Sequence, residues 1–160
     1  MIIETSQKMG ELGARIAREL RAGDLVLLNG ELGAGKTTLT RGIGAALGVR
    51  GAVTSPTFVL ARTHPAPGAP LVHVDAYRLG SAAELDDLDI DFAGSVVVVE
   101  WGAGLLDGIT DSWLNVDIVR PHGGDPLAED EPREVTVTGH GPRWAGVDVI
   151  GLGWADAPRD

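Results

Sequence analysis

An apolar run, Leu25-Val-Leu-Leu-Asn29, leads directly into Gly30-Glu-Leu-Gly-Ala-Gly35-Lys36-Thr37, which matches the pattern G-x4-G-K-[ST]. A helical pattern follows over Lys36–Leu47, and Gly48 stands where that helix should close. The order strand, glycine-rich loop, helix restricts the fold severely. Glycines let successive backbone N–H groups turn inward around an anion, and the positive end of the following helix points at the same place. Lys36 would bring a point charge to the β- and γ-phosphates, and the Thr37 hydroxyl is placed to bind Mg2+. The competing reading, a glycine-rich strand–helix turn with an ordinary surface lysine, does not account for the full motif and its context together. A nucleoside triphosphate site is the expectation.

The rest of the chain is organised around this unit. Met9, Leu12, Ile16 and Leu20 recur at helical spacing, so residues 7–21 read as an amphipathic helix with Ser6 as candidate cap and Gly23 as terminator. Strand patterns cover residues 25–28, 57–62, 71–75, 96–100, 114–119 and 134–138. Residues 64–70 (HPAPGAP) form a turn between two of them, and residues 121–132 form a longer polar loop. The last twenty residues show no assignable pattern. Continuous apolar strands mixed with helices indicate an α/β fold: a P-loop NTPase-like mononucleotide-binding architecture whose central, mostly parallel sheet is flanked by helices. With 160 residues, 44% of them hydrophobic, the chain is expected to form one domain over residues 1–140, followed by an extension over 141–160.

Such a site needs an acid at the end of a neighbouring strand to hold Mg2+ or orient a water. Asp75 closes the run Leu71-Val-His-Val-Asp75, and Glu100 closes Val96-Val-Val-Val-Glu100. Both would emerge at the carboxyl edge of a parallel sheet, where ligands bind in such folds. Either acid alone would also suit a strand end at the solvent boundary. Residues 54–58 (Thr-Ser-Pro-Thr-Phe) fit a loop that senses the γ-phosphate, and they fit a proline-containing turn equally well.

Charge and composition exclude other classes. There is no cysteine, which removes thiol chemistry, disulfides and cysteine-ligated metals. The formal charge of −10 argues against direct nucleic-acid binding. It is unevenly spread: residues 1–80 hold 9 Lys/Arg and 6 Asp/Glu (+3), and residues 81–160 hold 4 and 17 (−13). No apolar run approaches the roughly 18 residues of a membrane span, and no secretion signal is visible, so a cytoplasmic protein is expected. Asp87-x-Asp89-x-Asp91 opens like a calcium loop but has Phe92 where a glycine is needed and Val98 where a glutamate is needed. Asp91-Phe-Ala-Gly94 ends no apolar strand, and no N-K-x-D follows, so guanine specificity is unsupported. Of the histidines, only His73 lies near the expected site.

Taken together, GELGAGKTT (30–38), SPTF (55–58), HVDAYRL (73–79) and EW (100–101) resemble the bacterial TsaE (YjeE) family, over about residues 6–140. That resemblance implies an ATP- or ADP-binding, Mg2+-dependent ATPase that supports threonylcarbamoylation of adenosine 37 in tRNAs reading ANN codons. It implies the TsaB–TsaD pair as partner, with the transfer chemistry residing in that pair. By the same resemblance, nucleotide contacts fall on Ser6, Leu32, Gly33, Ala34, Gly35, Lys36, Thr37, Thr38 and Arg133. Thr37 and Glu100 would hold Mg2+, and Asp75 would act with Lys36 in catalysis by activating water. Met9 stands where a threonine is common in the family. Tyr77 and Arg78 would lie just beyond the catalytic edge, and Trp101 directly after Glu100. The alternatives are a small-molecule P-loop kinase, disfavoured by the scarcity of arginine after residue 100, and a nucleotide-gated interaction module with incidental hydrolysis.

Overall fold

A computed structural model of the chain describes residues 1–31, 35–49, 53, 61–76, 84, 88–100, 110–120, 132–147 and 149. Its strands are β1 (Ile2–Ile3), β2 (Leu25–Gly30), β3 (Ala61–His64), β4 (Leu71–Asp75), β5 (Val96–Glu100), β6 (Trp113–Val119) and β7 (Arg133–His140). They form one seven-stranded sheet in the order β1-β7-β6-β2-β5-β4-β3. The four central strands β6, β2, β5 and β4 run parallel, while β3, β7 and β1 pair antiparallel at the flanks. This is the α/β architecture with a parallel centre that the apolar runs indicate. Strand β2 lies between β5 and β6, neither of which adjoins it in the chain. The connections leaving β2 and β5 therefore head to opposite sides, and the crevice between their carboxyl ends is the usual ligand position of such sheets.

Side chains alternate along each strand, so the sheet has two distinct faces. Val26, Leu28, Val96, Val98, Leu114 and Val116 meet Met9, Leu12, Ile16, Leu39 and Ile43 from the helices α1 (Ser6–Ala17) and α2 (Lys36–Leu47). Leu25, Leu27, Val72, Val74, Val97 and Val99 face the other way and pack with Leu88, Ile90 and Phe92. Strand β5 is buried from end to end because apolar groups cover it on both faces.

Several boundaries differ from the sequence pattern for local reasons. Thr5, not Ser6, caps α1, its side chain accepting a hydrogen bond from the Lys8 N–H at 3.1 Å. The helix stops at Ala17 rather than residue 21. The Glu19 and Leu20 N–H groups tighten onto Ile16 and Ala17, and the Arg21 N–H goes to the Asp24 carboxylate instead of the helix. Leu20 stays buried despite lying outside the helix. By contrast, α2 runs from Lys36 to Leu47 as expected, closed by the left-handed Gly48. Strands β4 and β5 match their expected limits, and β2, β6 and β7 run one to three residues longer. Residues 57–60 of the strand expected at 57–62 lie outside the described residues. Strand β1 carries no signal in the sequence, because two residues are too few to show a period; it pairs with β7.

Residues from the last twenty also reach the core. A short 3-10 turn, Pro142–Trp144, buries Trp144, and its neighbour Arg143 grips Asp24 at the entrance to β2. Arg143 Nε and Nη2 donate to the two Asp24 oxygens at 2.9 and 3.0 Å, and Nη2 also donates to the Glu19 carbonyl at 2.7 Å. The guanidinium lies 4.2 Å from the Trp144 ring centroid. Asp24 is only 4% exposed, so removing its partner strands a carboxylate in the interior. We expect Arg143→Met to cost about 2–3 kcal/mol, the range for losing charged hydrogen bonds to a buried group, measured by urea denaturation. An unchanged denaturation midpoint would show that Asp24 does not need this partner.

Candidate functional site

The site forms where β2, β4 and β5 end together at the amino end of α2. The parallel register pairs Leu28 with Glu100 and Asp75 with Glu100, so the two acids stand side by side on adjacent strands. Both lie on the helix-facing side of the sheet, as does His73 two residues before Asp75.

Gly35 precedes α2 with φ 114°, a left-handed conformation that glycine adopts without a Cβ penalty. It turns the chain so that Lys36 begins the helix, and the first helical bond runs from the Leu39 N–H to the Gly35 carbonyl at 2.9 Å. No acidic side chain occupies the first turn of α2, so nothing within the helix offsets the positive potential of its free N–H groups. Thr37 and Thr38 are half-buried in that turn, and Thr40 bonds back to the Lys36 carbonyl at 2.8 Å. Helix α1 supports the loop from below. Met9 is buried, and its methyl lies 3.3 Å from where a Cβ on Gly35 would stand.

Lys36 is 5% exposed. Its ammonium reaches the end of β2, donating to the carbonyl of Gly30 and, at 3.2 Å, to that of Glu31. Burial lowers its pKa below the usual lysine value of 10.5, and the nearby Glu100 and Asp75 carboxylates raise it again. A buried cation flanked by two acids and the start of a helix is an arrangement suited to a polyphosphate carrying a hard cation.

Glu100 is buried, and its Oε2 lies 2.7 Å from His73 Nε2. His73 is fully buried, and its Nδ1 has no hydrogen-bond partner among the described residues. The sequence marked His73 only by its nearness to Asp75; the diagonal contact between strands was invisible until β4 and β5 were paired.

The structure therefore brings Lys36, Thr37, Thr38, Asp75 and Glu100 to one edge. Ser6 opens α1, one turn before Met9. Arg133 opens β7, which runs antiparallel to β6, so it stands at the same carboxyl edge two strands from β2. Leu32, Gly33, Ala34, residues 54–58, Tyr77, Arg78 and Trp101 lie outside the described residues. For a metal, the described residues contain no cluster of three or more His, Asp or Glu that would cage an ion. Mg2+ takes one or two carboxylates and completes its shell with water and phosphate oxygens. Glu100, Asp75 and the Thr37 hydroxyl are oxygen donors of the required kind. No described helix is long and apolar enough to cross a membrane.

A family model described as "Threonylcarbamoyl adenosine biosynthesis protein TsaE" matches residues 3–124. A Streptomyces coelicolor protein named tRNA threonylcarbamoyladenosine biosynthesis protein TsaE is 61% identical over 146 residues, covering 88% of this chain and 97% of that protein. The protein of the same name from Bacillus subtilis is 35% identical over 142 residues, covering 88% and 84%. Among solved structures, that of Bacillus subtilis YdiB superposes with a TM-score of 0.69 at 31% identity, covering 91% of this chain and 87% of that one.

Proposed function

The chain belongs to the TsaE family, and from that premise we propose that it is the Mg2+-dependent ATPase subunit of tRNA threonylcarbamoyladenosine synthesis. In this reading it works in the cytoplasm with the TsaB–TsaD pair, which transfers the threonylcarbamoyl group to adenosine 37 of tRNAs reading ANN codons. The observation that carries the hydrolytic part is the juxtaposition of the buried Lys36 ammonium with Asp75 and Glu100 on adjacent strand ends.

Binding of ATP exchanges the Gly30 and Glu31 carbonyls, which now hold Lys36, for β- and γ-phosphate oxygens. The amino end of α2 and the backbone of the loop complete the cradle. Thr37 and Glu100 would hold the cation, which when bound would offset phosphate charge. Asp75 accepts a hydrogen bond from a water and aims its oxygen at the γ-phosphorus. As the water oxygen bonds to the γ-phosphorus, its proton passes to Asp75, the bond to the β–γ bridging oxygen breaks, and Lys36 stabilises the charge that passes to ADP. The net charge of −10 is consistent with tRNA being held by the partner rather than by this chain.

Asp75→Ala separates binding from turnover. We expect ATP affinity within a few-fold of the parent and phosphate release reduced on the order of 100-fold or more, the usual effect of losing a group that positions or activates a nucleophile. Near-normal release in the presence of TsaB–TsaD would show that Asp75 does not orient the water.

A further inference from the structure

The imidazole of His73 has no part in the scheme above, yet it occupies the centre of the site. It is fully buried, two residues from Asp75 on the same face of β4. The register sets His73 opposite Val98, whereas Asp75 is opposite Glu100. The Glu100 side chain therefore reaches back diagonally across the strands to place Oε2 2.7 Å from His73 Nε2. Both partners are shielded from solvent, so water does not compete for this bond.

We propose that His73 is a positioning residue that fixes the Glu100 carboxylate so that its other oxygen, Oε1, is presented to the cation. This rests on the reading of Glu100 as a Mg2+ ligand. Two observations carry it. First, the bond occupies Oε2 and fixes the side-chain torsions of Glu100, leaving Oε1 as the oxygen the imidazole does not hold. Second, Nδ1 has no partner among the described residues. A ring donating from Nε2 puts its N–H on the carboxylate, whereas a ring bare at Nε2 would set that lone pair against one on Glu100 Oε2 and bury an Nδ1 N–H with no acceptor among the described residues. The ring is thus committed to donating toward Glu100. Outer donors of this kind commonly change metal affinity by 10–100-fold when removed.

The test measures ADP affinity by calorimetry with and without Mg2+, on the full chain, alongside the thermal midpoint. His73→Asn keeps a polar side chain but carries its amide too short to reach Glu100 Oε2; His73→Gln carries an amide donor near the position of Nε2. We expect His73→Asn to leave metal-free ADP affinity within about two-fold of the parent and to reduce the Mg2+-dependent gain at least about ten-fold. His73→Gln should restore most of that gain. In a Glu100→Ala background, His73→Asn should change nothing further. If folded His73→Asn shows the parent's full Mg2+ gain, or His73→Gln restores none of it, the positioning role is overturned. If the unsubstituted chain binds ADP equally with and without Mg2+, the metal reading of Glu100 fails first, and this role fails with it.

Discussion

Lys36→Ala should abolish tight binding of ATP and ADP while leaving the fold intact. Among the described residues Lys36 is the one buried lysine or arginine, and its hydrogen bonds to phosphate would be charge-assisted on both sides. Two such bonds at about 1.5–3 kcal/mol each correspond to a loss on the order of 10²- to 10⁴-fold in affinity. The fold should tolerate the change because burial already opposes the charge, as the lowered lysine pKa indicates. Removing the ammonium releases that desolvation cost and leaves the Gly30 and Glu31 carbonyls to water. Lys36→Met, which keeps the apolar stem, should lose nucleotide binding to the same degree with an even smaller effect on stability. Calorimetric titration with ADP decides the matter, and unchanged affinity in either variant would remove the loop from the nucleotide site.

The second large effect lies at the crossing of α1 and α2, where the same substitution should act with opposite sign at two glycines. An alanine Cβ at Gly42 would stand 2.2 Å from the Gly10 carbonyl oxygen and 2.8 Å from its Cα. At Gly13 it would stand 2.4 Å from the Leu39 carbonyl oxygen. These neighbours are backbone, so no side-chain rotation relieves the overlap, and the helices must separate. Helix propensity alone favours alanine over glycine by about 1 kcal/mol. Overpacking of a close contact costs about 1–3 kcal/mol, and contact with backbone belongs at the upper end. The steric cost therefore wins at Gly42. We expect Gly42→Ala to destabilise the chain by about 2 kcal/mol, lowering the thermal midpoint by roughly 4–8 °C. At Gly10, by contrast, a Cβ meets nothing within 4 Å. Gly10→Ala should therefore raise stability by up to about 1 kcal/mol. The Gly42 variant should also weaken nucleotide binding, because separating the helices withdraws Met9 from beneath Gly35. Equal effects at the two glycines would show that the close crossing does not set the position of the loop.

Much of this was legible in the sequence because it is local. The glycine-rich segment, its strand and its helix are contiguous in the sequence, and the strand and helix are each marked by their own period and by a glycine at their junction. Asp75 and Glu100 were legible for a related reason: each terminates a run of apolar residues, and parallel strands bring their ends to one edge. What remained hidden depends on contacts between distant segments. The His73–Glu100 bond requires the β4–β5 register, and the Arg143–Asp24 grip spans 119 positions. Nothing in the run of residues around Gly42 distinguishes a glycine that must stay small from Gly10, which need not. The cap of α1 was misplaced by one residue because Thr5 and Ser6 offer the same hydroxyl, and only backbone geometry chooses between them.

The most direct measurement is phosphate release from ATP by the purified chain, with and without the TsaB–TsaD pair, in the presence and absence of Mg2+. We expect slow release by the chain alone, marked stimulation by the pair, dependence on Mg2+, and loss of both activities in Lys36→Ala. ATP left intact in the presence of the pair and Mg2+, or release that persists undiminished in Lys36→Ala, would contradict the assignment of this chain as the ATPase.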